Sequence, residues 1–179
     1  MANLAVPTPR TFTVGETEVG AYFNAVRDAL NFLINIPIAT VYQATAQTIS
    51  PANTPVMLTF DATVVDSYGG HSNSTNNSEY VAQVAGWYLI TGSVCFVASS
   101  SGTYRKVQAY HNGSPIPYGP SQLPPAGATY ATSVPMVPAF IYMAVGDYVQ
   151  IGATTDVASI ATVISSQNNS SMTVFWLHA

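Results

Sequence analysis

From Tyr80 to Val97 the chain reads YVAQVAGWYLITGSVCFV, two apolar runs divided at Ala85-Gly86. The second run alternates with a period of two. Tyr88, Ile90, Gly92, Val94 and Phe96 fall on one face; Trp87, Leu89, Thr91, Ser93, Cys95 and Val97 fall on the other. Side chains of a strand point alternately to opposite faces, so the first set predicts a core-facing row. The second set is apolar at both ends, which predicts a strand in mid-sheet covered twice, by its own domain or by a neighbouring subunit.

A helical period occurs earlier, in VGETEVGAYFNAVRDALNFLI. Val19, Tyr22, Phe23, Val26, Leu30 and Leu33 form one apolar stripe, with Thr17 as the predicted cap and Glu16 and Glu18 at the positive end. Pro37 closes the segment. Two readings stay open: a helix packed on its own domain, or a short bundle or docking helix. Residues 1–13 carry Pro7 and Pro9 without periodicity, as expected of an extended tail that docks on something.

After Ala39 the pattern is strand and turn. Strands are predicted at 39–43, 56–60, 80–84, 87–97, 104–112, 129–142, 148–153, 160–165 and 172–177. Pro135 and Pro138 predict that the 129–142 segment is broken or at an edge. Ser50-Pro51, Gly69-Gly70, Asn112-Gly113 and Gly146-Asp147 mark turns, and Asn112-Gly113 suits a tight hairpin. The last run, MTVFWL, is apolar on both faces and is expected to be central. Two loops look exposed: His71–Ser78, polar and uncharged, and Gly113–Ala128, whose five prolines are expected to keep it out of any sheet. Many short strands argue for an antiparallel sandwich or barrel.

Composition sharpens this picture. Of 179 residues, 48% are hydrophobic and only 7% charged, against about 25% charged in an ordinary domain. Surface lost to permanent contacts with other copies explains such a deficit. The net charge is −4, and Arg105 and Lys106 are the only basic residues after position 30. Phosphates need clustered Lys and Arg, so a nucleic-acid partner is excluded. No apolar run is long enough to predict a membrane span, and no secretory signal pattern opens the chain. Cys95 stands alone and reads as a small core residue.

Little points to catalysis, and no cofactor or metal is expected. His71, His111 and His178 lack metal-ligand spacing. Gly92-Ser93-Val94 lacks the pattern of a nucleophile elbow. Asp61, Asp66 and Asp156 could meet in loops around Ca²⁺, but turn-forming acids are the plainer reading. Asp147 reads as a turn residue bonding local backbone, and Arg105-Lys106 as a solvated surface pair.

Gly86-x-Tyr88 opening a core strand, Asn112-Gly113, Gly146-Asp147-x-Val149 and the Ser-rich turn into MTVFWL together resemble the C1q/TNF-like jelly roll over about residues 39–177. The resemblance implies an all-β antiparallel jelly-roll sandwich, with the C-terminal strand in the inner sheet, assembled as a tight trimer. Trp87, Leu89, Phe175, Trp176 and Leu177 are the candidate trimer contacts. The chain departs from that family in lacking a collagen-like stalk and in its Pro-rich insert. A second resemblance lies in Thr13-Val14-Gly15-Glu16 and Asn24-Ala25-Val26-Arg27-Asp28, with Phe12 where Trp is common. These residues are similar to the leader of virion proteins of tailed phages that infect actinobacteria.

Together the two resemblances imply residues 1–37 as arm and helix and 38–179 as a jelly-roll head, in a trimeric capsid-decoration or head-fibre protein. Such a protein would reside in the virion, assembled in host cytoplasm. Tyr22, Phe23, Val26 and Leu30 are the candidate contacts to the major capsid protein or another virion protein. The alternative is a tail-associated binder of a host receptor or glycan, using Tyr118, Leu123, Tyr130 and the loop around His71.

Overall fold

The computed structural model describes residues 20–165 and 169–179. The predicted cap at Thr17 and the stripe residue Val19 lie outside the described residues. The elements are α1 (Gly20–Ile34), β1 (Ile38–Tyr42), β2 (Thr48–Ile49), β3 (Val56–Met57), β4 (Ala62–Asp66), β5 (Tyr80–Val81), β6 (Gly86–Phe96) and β7 (Arg105–His111). There follow β8 (Ser114–Pro115), β9 (Ser121–Leu123), β10 (Thr132–Pro135), β11 (Ala139–Met143), β12 (Tyr148–Thr155), β13 (Ile160–Ala161) and β14 (Ser171–His178).

Two antiparallel sheets face each other. The front sheet runs β10-β6-β14-β1-β4, with β11 sharing the β6 edge beside β10. The rear sheet runs β3-β12-β7-β8, with β5 on β12 and β9 on β7. A small ribbon pairs β13 with β2. The last strand, β14, lies between β6 and β1, so the C-terminal run is central, as its two apolar faces require. The long strand β6 turns Tyr88, Ile90, Val94 and Phe96 into the core, and these four are fully buried. They meet Val41, Met172 and Val174 of the same sheet and Val107, Val149 and Ile151 from the rear.

The prolines act where expected in one place and not in another. Pro135 ends β10, and the chain re-enters the sheet only at β11, so the 129–142 segment is broken at a sheet edge. The Pro-rich loop, however, does pair. Ser114-Pro115 and Ser121–Leu123 both add to the outer edge of β7. An edge strand needs inward hydrogen bonds only, and Ile116 N–H, next to Pro115, supplies one to Ala109 C=O at 2.9 Å. Similarly, the predicted 160–165 strand shrinks to Ile160-Ala161 plus a single bridge from Thr162 to Phe96.

Turn chemistry fixes one end of the sandwich. Asn112 and Gly113 both adopt positive φ, at 48° and 76°, closing the β7–β8 hairpin. Asp147 accepts the Ala144 N–H at 2.9 Å, the local bond read from sequence. It also accepts from Asn112 Nδ2 at 2.9 Å, while Asn112 Oδ1 accepts from Tyr148 N–H. The two turns therefore lock each other.

Candidate functional site

The register of the front sheet generates its outer surface row by row. Phe140 lies opposite Leu89, Leu89 opposite Phe175, and Phe175 opposite Ile38. In a second row Tyr142 lies opposite Trp87 and Trp87 beside His178. The Trp87 and Tyr142 rings meet edge to face at 6.1 Å, and the His178 ring lies 6.4 Å from Trp87 on its other side. Further along come Thr91, Thr173 and Thr40, the last two joined by a 3.1 Å hydroxyl contact. Ser93, Ser171 and Tyr42 complete the gradient. These rows hold no Asp, Glu, Lys or Arg. Phe140 and Tyr142 are about half exposed, at 50% and 51%, Trp87 and Leu177 are exposed, and Leu89 and Phe175 are partly covered.

Trp176 is not part of this face. Strand alternation turns it inward, opposite in sense to Phe175 and Leu177, and it is buried within the single chain. Its Nε1–H donates to Ala85 C=O at 3.2 Å, and the Phe32 ring stands edge-on to it at 4.9 Å. Sequence grouping by strand placed Trp176 among the interchain contacts, whereas grouping by face removes it. Phe140 and Tyr142 were missed. Their alternation with Ala139, Ile141 and Met143 was the available signal, hidden by the prolines just before it.

Helix α1 touches the head through Phe32, which is buried against Trp176 and Tyr68. Phe32 was not on the predicted stripe; it projects from the other side of the helix. The stripe itself faces solvent, with Phe23, Val26, Leu30 and Leu33 exposed at 62%, 41%, 53% and 66% and Tyr22 half-buried.

The loop candidates are scattered. Tyr118 is exposed and donates its hydroxyl to Phe140 C=O at 3.1 Å, which ties it to the edge of the front face. Leu123, on β9, and Tyr130 are exposed elsewhere. A separate open cleft of about 310 Å³ is lined by Gly69, Gly70, His71, Ser72, Glu79 and Gln83 among others. His71 itself is held within the loop, its ring nitrogens 2.7 Å from Glu79 C=O and 2.9 Å from Phe60 C=O.

Of the acids considered for Ca²⁺, Asp66 holds its own turn, whereas Asp61 and Asp156 each tie down a loop distant in sequence. Asp61 accepts from the Ala44 and Thr45 amides, Asp66 from Gly70 and His71, and Asp156 from Thr103 and Tyr104. Hydrogen bonds from Thr103 hold the Asp156 carboxyl below its usual range. Among the described residues, no three His, Cys, Asp or Glu side chains gather as a metal site. Arg105 departs from the solvated pair expected of it. It is fully buried, donating to Tyr104 and Ser101 carbonyls at 3.0 and 2.9 Å, with its guanidinium 5.9 Å from the Phe96 ring centre. It starts β7 on the inward-facing register, which adjacency to Lys106 does not reveal.

Similarity to solved structures agrees with this architecture. The globular domain of zebrafish complement 1qA protein aligns with a TM-score of 0.56 at 13% identity, covering 79% of this chain and 98% of that one. Murine APRIL aligns with a TM-score of 0.58 at 10% identity over 79% and 98%. Eiger TNF from S. frugiperda gives 0.55 at 11% over 79% and 93%. The fold is therefore the all-β, C1q/TNF-like jelly roll. No family model and no curated protein sequence matches the chain.

Proposed function

We propose that this chain is a non-enzymatic phage virion protein, a homotrimeric capsid-decoration or head-fibre protein that residues 1–37 fasten to the particle. The observation that carries the assembly is the outer face of the front sheet. Phe140, Leu89, Phe175 and Ile38 form a continuous apolar row with no charged side chain to hold water, beside Tyr142 and Trp87. A face of that kind is characteristic of an interface between subunits. The composition supports the same reading, since 7% charged residues leave little polar surface for a solitary head. Assignment to a virion rests on the leader-like residues 12–28.

Particles stripped of the protein test the attachment. The full chain is expected to rebind them. A chain lacking residues 1–19 is expected to keep its oligomeric mass and lose particle binding. The helix is retained in that variant because Phe32 belongs to the core. Equal decoration by both proteins would remove the leader as the anchor.

The cleft beside His71 favours a second reading, a tail-associated glycan or receptor binder. Saturation-transfer NMR with host-surface glycans separates the two. Transfer to a sugar, abolished by Thr75→Trp at the exposed rim of the cleft, would support the binder.

A further inference from the structure

The exposed stripe of α1 has a spacing that the Phe32 contact with the head does not use. Phe23, Val26, Leu30 and Leu33 are separated by three, four and three residues, the a/d repeat of a coiled-coil seam. All four are exposed, whereas Phe32, on the opposite side of the helix, is buried. The helix is thus fixed to its own head by one side and offers an apolar seam on the other. Among the described residues its ion pair is Arg27 with Asp28 at 2.9 Å, which joins neighbours within the chain and sets no charge preference across the seam.

We infer that α1 pairs with α1 of two further copies, forming a short parallel three-helix coil at the base of the trimer. This rests on the trimeric reading above and refines it: the seam serves assembly, and particle contact falls to the residues ahead of it. Three features select a second copy over a foreign partner. First, the helix ends where the proposed interface begins. Phe32 packs on Trp176, Trp176 pairs with Tyr88, and the exposed Trp87 and His178 lie at this same end of β6 and β14. Copies related by a closed rotation bring identical ends together, so their helices emerge side by side and parallel. Second, an a/d seam is self-complementary, because each knob fits a hole made by the same residues of its neighbour. Third, Phe23 and Leu30 occupy the a positions, where two-stranded coils favour β-branched residues, although Leu33 keeps one d position as Leu. Two heptads are too short to associate alone. Linked to associated heads, they meet at the high effective concentration of an intramolecular contact.

Thiol cross-linking of the full-length protein, free of particles, tests this. Leu30→Cys places a thiol in the seam, and Asp28→Cys places one at an exposed position on the opposite side, one turn before Phe32, as a control. The native Cys95 is buried and stays out of the reaction. Under mild oxidation or a short bis-maleimide, Leu30→Cys is expected to give mostly covalent dimers on a non-reducing gel, two of each three chains being joinable. Asp28→Cys is expected to remain monomeric on the same gel. The double variant Val26→Asp with Leu30→Asp should stay folded and show a trimer that dissociates at higher concentration than the parent. Absence of Leu30→Cys cross-linking in a protein that sediments as a trimer would overturn the coil while leaving the trimer intact. Absence of cross-linking in a monomer would overturn both. A Leu30→Cys thiol that reacts freely in solution, fails to cross-link and becomes protected only on particles would assign the seam to the shell and overturn the proposal.

Discussion

A methyl group at Gly86 would land on the Trp176 indole and the His178 carbonyl, and the φ of 151° there is one that L side chains rarely adopt. The Gly86-x-Tyr88 motif is thus half of a packing device whose other half is Trp176, ninety residues away in sequence. Removing the indole leaves a cavity bounded by Phe32 and the start of β6. Trp176→Ala is expected to cost about 3–5 kcal/mol, read by denaturant unfolding. Asp147 provides a pH-dependent counterpart. Bonds from Asn112 Nδ2 and then the Ala144 amide hold its carboxyl below the ordinary value of 3.8. A depressed carboxylate stabilises the native state above the unfolded value and loses that contribution as the pH falls through the native one. Asp147→Asn is therefore expected to melt earlier at neutral pH. The difference from the parent should shrink as the pH drops below 3.8. A gap that is constant with pH would show that the carboxylate charge is not what locks the two turns.

Helix α1 shows what a sequence conveys about an element and what it withholds. The apolar stripe was legible because its residues recur at helical spacing, but periodicity does not say what the stripe faces. Phe32, one lone aromatic on the polar side, does the docking instead. Phe32 ties the helix to the core of the head, and Phe32→Ala is expected to destabilise the head by about 3 kcal/mol, measured by the midpoint of urea unfolding. No change in midpoint would show that the head is independent of the helix. The strands divide in the same way. The strands β6, β12 and β14 were legible from their strong alternation or apolar runs, and the central place of β14 followed from its two apolar faces. The short strands β8 and β9 were hidden because edge pairing needs hydrogen bonds on one side only, which a proline-rich stretch can still supply. The candidate face was legible on β6 and β14 and not on β11, since only the register shows that Phe140 and Tyr142 continue it.

For the whole molecule, one sandwich leaves an apolar, uncharged sheet face and an apolar helix seam open at the same end. Burying both against identical copies accounts for the scarcity of charge, the outward Trp87, Phe140 and Tyr142, and the a/d spacing of α1. Lone copies would expose all of these to water, at a cost that association removes. Mutation at the centre of the face should therefore act on assembly before it acts on folding. Leu89→Asp with Phe140→Asp is expected to give a folded monomer with a β-sheet circular dichroism spectrum like that of the parent; an unfolded product would mean that the face supports the head itself. The most direct test is the mass of the unmodified full-length protein by sedimentation equilibrium at micromolar concentration. The account predicts a single species of three times the 18.9 kDa chain. A stable species at the mass of one chain would contradict it.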